Sequence, residues 1–107
     1  MFIALYRWKV KEGREQDFRE GWRKRTEEIY RQAGSLGSRL HQAEDGAWVA
    51  YAQWPDRQTY DAAQSVPVID AGARTMFRES IEESYPDIYM NATDDLLQAQ
   101  AFTKQES

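Results

Sequence analysis

The first ten residues alternate as a strand does, with Phe2, Ala4, Tyr6, Trp8 and Val10 on one face and Ile3, Leu5, Arg7 and Lys9 on the other. Both faces begin apolar, so this strand is expected to be covered on both sides. After Glu12 and Gly13 the period changes. Phe18, Trp22, Thr26, Ile29 and Ala33 recur at helical spacing among charged residues, and Gly34 supplies a stop. A loop from Gly34 to Ser38 then feeds a second alternating run through Arg39, Leu40 and His41. Glu44-Asp45-Gly46 is a hairpin turn, and Ala47 to Trp54 makes the third strand.

Asp56 is placed to cap a short helix from Arg57 to Gln64, and Pro67 restarts the chain. Helical spacing resumes at Ile69, Ala73, Met76, Phe77, Ser80 and Ile81 and is expected to last until Tyr85-Pro86. Ile88 to Thr93 then predicts a fourth strand, and a polar tail without period follows from about residue 94 to 107. Strand, helix, strand, strand, broken helix, strand is the split βαβ order. The fold class it predicts is α+β and ferredoxin-like, a four-stranded antiparallel sheet with helices on one face. On the third strand Trp48, Ala50, Ala52 and Trp54 oppose Val49, Tyr51 and Gln53, and both sets carry apolar bulk. One helical layer covers only one set, so sheet-to-sheet pairing with a second copy is the expected cover for the other.

Composition narrows this picture. The 107 residues fit a single domain, and 13% aromatics compensate for a low mean hydropathy of −0.84. A net charge of −4 is the wrong sign for gripping phosphate backbones, so nucleic acid is not an expected partner. No stretch approaches the roughly 20 apolar residues of a membrane span. The absence of cysteine suits a reducing compartment, and a cytoplasmic location is expected. No metal is expected from one histidine, no cysteine and the pairs Glu27-Glu28, Glu82-Glu83 and Asp94-Asp95, which read as solvated faces. No phosphate cradle or nucleophile motif is present. His41 shares parity with Arg39, opposite Leu40, which reads as a structural or surface position.

The segment Gly34 to Tyr60, GSLGSRLHQAEDGAWVAYAQWPDRQTY, resembles the middle of the antibiotic biosynthesis monooxygenase family, small dimeric ferredoxin-like proteins of the dimeric α/β-barrel type. The turn Asp45-Gly46, the run Tyr51-Ala52-Gln53-Trp54 and the short aromatic-containing helix carry the resemblance. It implies a homodimer whose substrate lies between sheet and helices. It also implies oxidation of a phenolic, quinol or anthrone-like aromatic by O2 with no cofactor. By the same resemblance, Trp54, Tyr60 and Arg74 are the candidate catalytic residues, and Trp22, Trp48 and Ala50 are candidate substrate contacts. Arg74 would stabilise an enolate or phenolate, Tyr60 would donate or relay a proton, and the Trp54 indole N–H would fix a carbonyl.

One position departs from the family pattern. An Asn stands four residues before the strand-end Trp in the family, and Ala50 stands there in this chain. A non-catalytic dimeric ligand-binding or stress-associated module of the same fold is therefore the alternative function. Haem breakdown is disfavoured, because the last helix offers Arg74, Phe77 and Arg78 where that branch of the family has a histidine. Each candidate also has a plainer role. Trp54 reads as core, Tyr60 as packing with a surface hydroxyl, and Arg74 as half of an ion pair with Asp70.

Overall fold

A computed structural model describes residues 1–104. Eight elements follow in order: β1 (Phe2–Val10), α1 (Glu15–Ala33), β2 (Ser38–Gln42), β3 (Trp48–Trp54), α2 (Arg57–Ala63), α3 (Ala71–Glu79), β4 (Ile81–Ser84) and β5 (Ile88–Asn91). The sheet is antiparallel throughout and ordered β2-β3-β1-β4, with β5 also pairing β1.

Local chemistry sets most of the boundaries. Gly34, at φ 74°, ends α1 in the left-handed conformation that a side chain disfavours. Asp56 accepts the Thr59 N–H at 2.7 Å and so caps α2. The β2–β3 hairpin closes through Gly46 N–H to Ala43 O at 2.9 Å, with the Asp45 side chain accepting the Ala47 N–H.

The last third of the chain differs from expectation. The helix expected to reach Tyr85 stops at Glu79, and Ile81–Ser84 is strand. Ser80, wholly buried, donates its hydroxyl to Phe77 O at 2.6 Å, while its own carbonyl accepts the Lys11 N–H at 2.9 Å. That bond hands the chain directly from helix to sheet, where β4 pairs with Trp8, Lys9 and Val10. Tertiary strand pairing thus overrides helical periodicity. The sheet consequently has five strands, although β4 and β5 occupy one edge in succession. β4 lies against the end of β1 and β5 against its start, from Phe2↔Asn91 to Leu5↔Ile88. Tyr85, Pro86 and Asp87 interrupt that edge, and Tyr85 N–H still bonds Arg7 O at 3.0 Å. The fourth expected strand also ends two residues early, at Asn91 rather than Thr93.

Cross-strand register puts Phe2, Ala4, Tyr6 and Trp8 opposite Trp54, Ala52, Ala50 and Trp48, all on one face. The helices cover that face. Phe18 of α1 is completely buried, with ring centroids 5.2–5.5 Å from those of Trp8, Trp48 and Phe77. α1 and α3 cross at Gly21, where a Cβ would stand 2.8 Å from the Phe77 Cβ and 2.9 Å from its backbone. No larger residue permits that approach. The opposite face carries Ile3, Leu5, Arg7, Val49, Tyr51, Arg39, His41, Ile88 and Met90 and has no helical layer. Residues 92–104 form no regular element, and Leu96, Leu97 and Phe102 on them are almost fully exposed. The radius of gyration, 16.1 Å, accordingly exceeds the about 13 Å expected of a compact chain this long. Of the expected tail, residues 105–107 lie outside the described residues.

Candidate active site

Between the helices and the covered face of the sheet runs a cleft with two adjoining sections. One, of about 240 Å³, is lined mainly by Tyr6, Trp8, Trp22, Ile29, Trp54 and Phe77. The other, of about 510 Å³, adds Glu28, Tyr60, Arg74 and Arg78, and the two sections share Tyr6, Arg25, Ile29, Trp54 and Phe77. The shared residues come from β1, α1, β3 and α3, so the cleft exists only once the layers have packed.

Trp54, Tyr60 and Arg74 line the same section. Trp54 ends β3 and is 4% exposed, and its indole nitrogen is buried with no acceptor in bonding range among the described residues. A buried donor left unsatisfied costs free energy, so this N–H is open to an acceptor that enters the cleft. The Tyr60 side chain is buried, and its hydroxyl is hydrogen-bonded. It accepts from Tyr6 OH at 3.3 Å and shares a 3.2 Å hydrogen bond with Tyr89 OH, which donates to Asp87 at 3.3 Å. Four oxygens thus run from the cleft to the exposed loop between β4 and β5. Burial pushes the Tyr60 phenol up to about 12, the hydrogen bond to Tyr60 holds Tyr89 at about 12, and burial raises Tyr6. All three are neutral O–H groups at physiological pH. Arg57 caps this cluster, its guanidinium carbon 4.7 Å from the Tyr89 ring centroid and 5.1 Å from that of Phe2.

The expected Asp70–Arg74 ion pair does not form. The Asp70 carboxylate caps α3 instead, accepting the Ala73 N–H at 2.9 Å, and among the described residues Arg74 has no carboxylate within 4 Å. Glu28, expected on a solvated face, instead turns inward to the segment before α3. Its side chain is 10% exposed and accepts from Arg25 at 2.9 Å, Ile69 N–H at 2.7 Å and Asp70 N–H at 3.2 Å. These bonds pin the segment before α3 to α1, and the Ile69 N–H above all holds the Glu28 carboxyl below its ordinary range.

Of the other sequence candidates, Trp22 lines the apolar section. Trp48 faces a separate depression with Leu40 and Gln42, and Ala50, 1% exposed, sits between Tyr6 and Leu40 in register and lines neither section. His41 is exposed on the open face, its Nδ1 3.3 Å from Val49 O. Sequence reasoning missed Tyr6, Arg25 and Arg78. Tyr6 was on the correct strand face, and Arg25 lies three residues after Trp22 on α1, so helical adjacency to the apolar stripe was the available signal. Among the described residues no cluster of three or more His, Cys, Asp or Glu side chains converges, and no helix is long and apolar enough to cross a membrane.

The family model for antibiotic biosynthesis monooxygenases matches residues 1–81. Among solved structures, SnoaB, a cofactor-independent oxygenase from Streptomyces nogalater, superposes with a TM-score of 0.73 at 20% identity, covering 91% of this chain and 97% of its own. The monooxygenase from the gene ActVA-Orf6 of Streptomyces coelicolor, solved with nanaomycin D, gives 0.70 at 22% identity over 92% of each chain. Rv0793 from Mycobacterium tuberculosis gives 0.71 at 13% identity, covering 90% of this chain and 98% of its own. No curated protein sequence matches.

Proposed function

Because this chain belongs to the antibiotic biosynthesis monooxygenase family, we propose that it is a cofactor-independent monooxygenase that oxidises a small phenolic, quinol or anthrone-like aromatic with O2. Family membership and the oxygenase neighbours support a monooxygenase-type function. The substrate class rests on the cleft. The observation that carries it is Trp54, whose buried indole nitrogen lacks an acceptor in a slot walled by aromatic rings. A flat ligand that stacks there and presents a carbonyl or hydroxyl oxygen satisfies that donor.

In this reading Trp54 orients the ligand oxygen and Arg74 stabilises the anion left when a C–H or O–H proton departs. Tyr60, neutral at physiological pH, acts as donor and relay, passing that proton through the Tyr89 hydroxyl toward Asp87. The electron-rich anion gives one electron to O2, and the radical pair recombines as a hydroperoxide. Loss of water then leaves a carbonyl. For a methylene substrate the balance is CH2 plus O2 giving C=O plus H2O.

The assembly proposed is a homodimer joined through the open sheet face, in the cytoplasm. Ile88 and Met90 are exposed there, Arg7 Nε is buried without an acceptor among the described residues, and the exposed Leu97 of the tail borders a depression with Leu36 and Tyr51. Ala50 favours one second reading, a dimeric binder without turnover, because no amide is available beside Tyr6 to hold a second ligand oxygen.

Oxygen uptake by purified protein with a panel of quinols and anthrones, followed together with tryptophan fluorescence, tests the proposal. Saturable uptake is expected, with Trp54→Phe and Arg74→Ala each lowering kcat/KM roughly 10²-fold. Quenching with oxygen loss at the uncatalysed rate would instead establish the binder.

A further inference from the structure

The polar section of the cleft is more basic than the proposed oxidation requires. Arg25, Arg74 and Arg78 line it against one carboxylate, Glu28, in a chain whose net charge is −4. Glu28 is already committed to three donors. Among the described residues neither Arg74 nor Arg78 has a carboxylate within 4 Å. They stand four residues apart on α3, so two like charges share one helix face. Complementing the helix C-terminus accounts for Arg78 in the last turn but not for Arg74 a turn earlier. Arg25 arrives from α1, four residues beyond the Gly21 crossing, and lines both sections of the cleft.

We propose that Arg78, supported by the Glu28-paired Arg25, forms a carboxylate-binding subsite next to Arg74, so that the ligand is a flat aromatic carrying a carboxylate at the end away from the Trp8 and Trp22 walls. This rests on the reading of the cleft as an aromatic-ligand site and deepens it. Guanidinium groups bind carboxylates in a planar two-bond geometry, and a carboxylate held by Arg78 offsets its repulsion with Arg74 four residues earlier. The aromatic section then sets the orientation of the rings and the basic section sets which end enters. Neutral and cationic aromatics of the same shape are discriminated against.

Anthraquinone-2-carboxylate and its carboxamide, titrated against tryptophan fluorescence of the full chain at low salt, provide the test. The carboxylate is expected to bind roughly tenfold tighter than the amide. Arg78→Gln should reduce that preference to about threefold, while Arg39→Gln, a charge lost from the far sheet face, should leave it intact. Because Arg78 is exposed, its substitution leaves the core untouched. Equal affinity for both compounds overturns the subsite and leaves the aromatic cleft standing. An equal loss of preference in Arg78→Gln and Arg39→Gln also overturns it, since the effect is then general charge. Binding of neither compound overturns it together with the reading on which it rests.

Discussion

The two faces of one sheet have been treated oppositely by the fold. On the covered face Phe2, Ala4, Ala52 and Trp54 are buried under α1 and α2 with Tyr60 among them, and the polar atoms they bring in are bonded to one another or border the cleft. On the open face Ile3 is buried, but Leu5, Val49 and Tyr51 are only half-buried, Ile88 and Met90 are exposed, and Arg7 keeps an unsatisfied Nε. Both faces carry apolar bulk in the sequence, although Arg7, Lys9, Arg39 and His41 fall on the open one. The difference shows that hydrophobic patterning states how much must be covered, while connectivity decides what the chain covers itself and what it leaves to another surface.

Matched truncations on the two faces are expected to have the largest effect. Phe18→Ala removes a completely buried ring and should cost about 3–5 kcal/mol in urea unfolding, whereas Met90→Ala on the open face should cost under about 1 kcal/mol at concentrations where the chain is monomeric. Similar losses from both would mean that the open face is as well packed as the covered one. A smaller effect is expected when a charge is placed on the open face. Val49→Lys should weaken the proposed self-association by about 2 kcal/mol, roughly 30-fold, read as a fall in sedimentation mass toward 12.5 kDa with the unfolding midpoint little changed. Retention of the larger mass would sever that face from assembly.

The smallest effect concerns acid. The Glu28 carboxyl is depressed in the folded chain, chiefly by the Ile69 N–H, so its contribution is present above the unfolded value of about 4.3 and lost as pH falls through the folded value. Glu28→Gln should cost about 1 kcal/mol at neutral pH and flatten the decline in thermal midpoint below about pH 4. An unchanged acid limb would remove Glu28 from the account.

Element order, helical layer, Gly34 stop and Asp56 cap were legible because each depends on local periodicity or on one side chain near its own backbone. The Ile81–Ser84 strand was not, since its sequence satisfies a helix and only the edge of β1, some 70 residues earlier in the chain, decides otherwise. The site divides in the same way. The resemblance placed Trp54, Tyr60 and Arg74, which the fold gathers on one section of the cleft. Tyr6, Tyr89 and Asp87 join Tyr60 only through pairing distant in sequence, and the ionic role of Glu28 depends on backbone N–H groups that no residue pattern reveals.

The interruption of the outer strand at Tyr85-Pro86-Asp87 limits how copies of this chain can add to one another. An unbroken rim would offer a continuous row of free amides and carbonyls, along which further strands could dock without end, as in a fibril. Proline supplies no amide there, the register shifts between Lys9 and Val10, and the other rim, β2, is only five residues long and bears Arg39. Sideways growth is therefore disfavoured at both rims. In the proposed homodimer, contact would run through the broad surface of the sheet, and two such surfaces facing one another would leave nothing for a third copy to occupy.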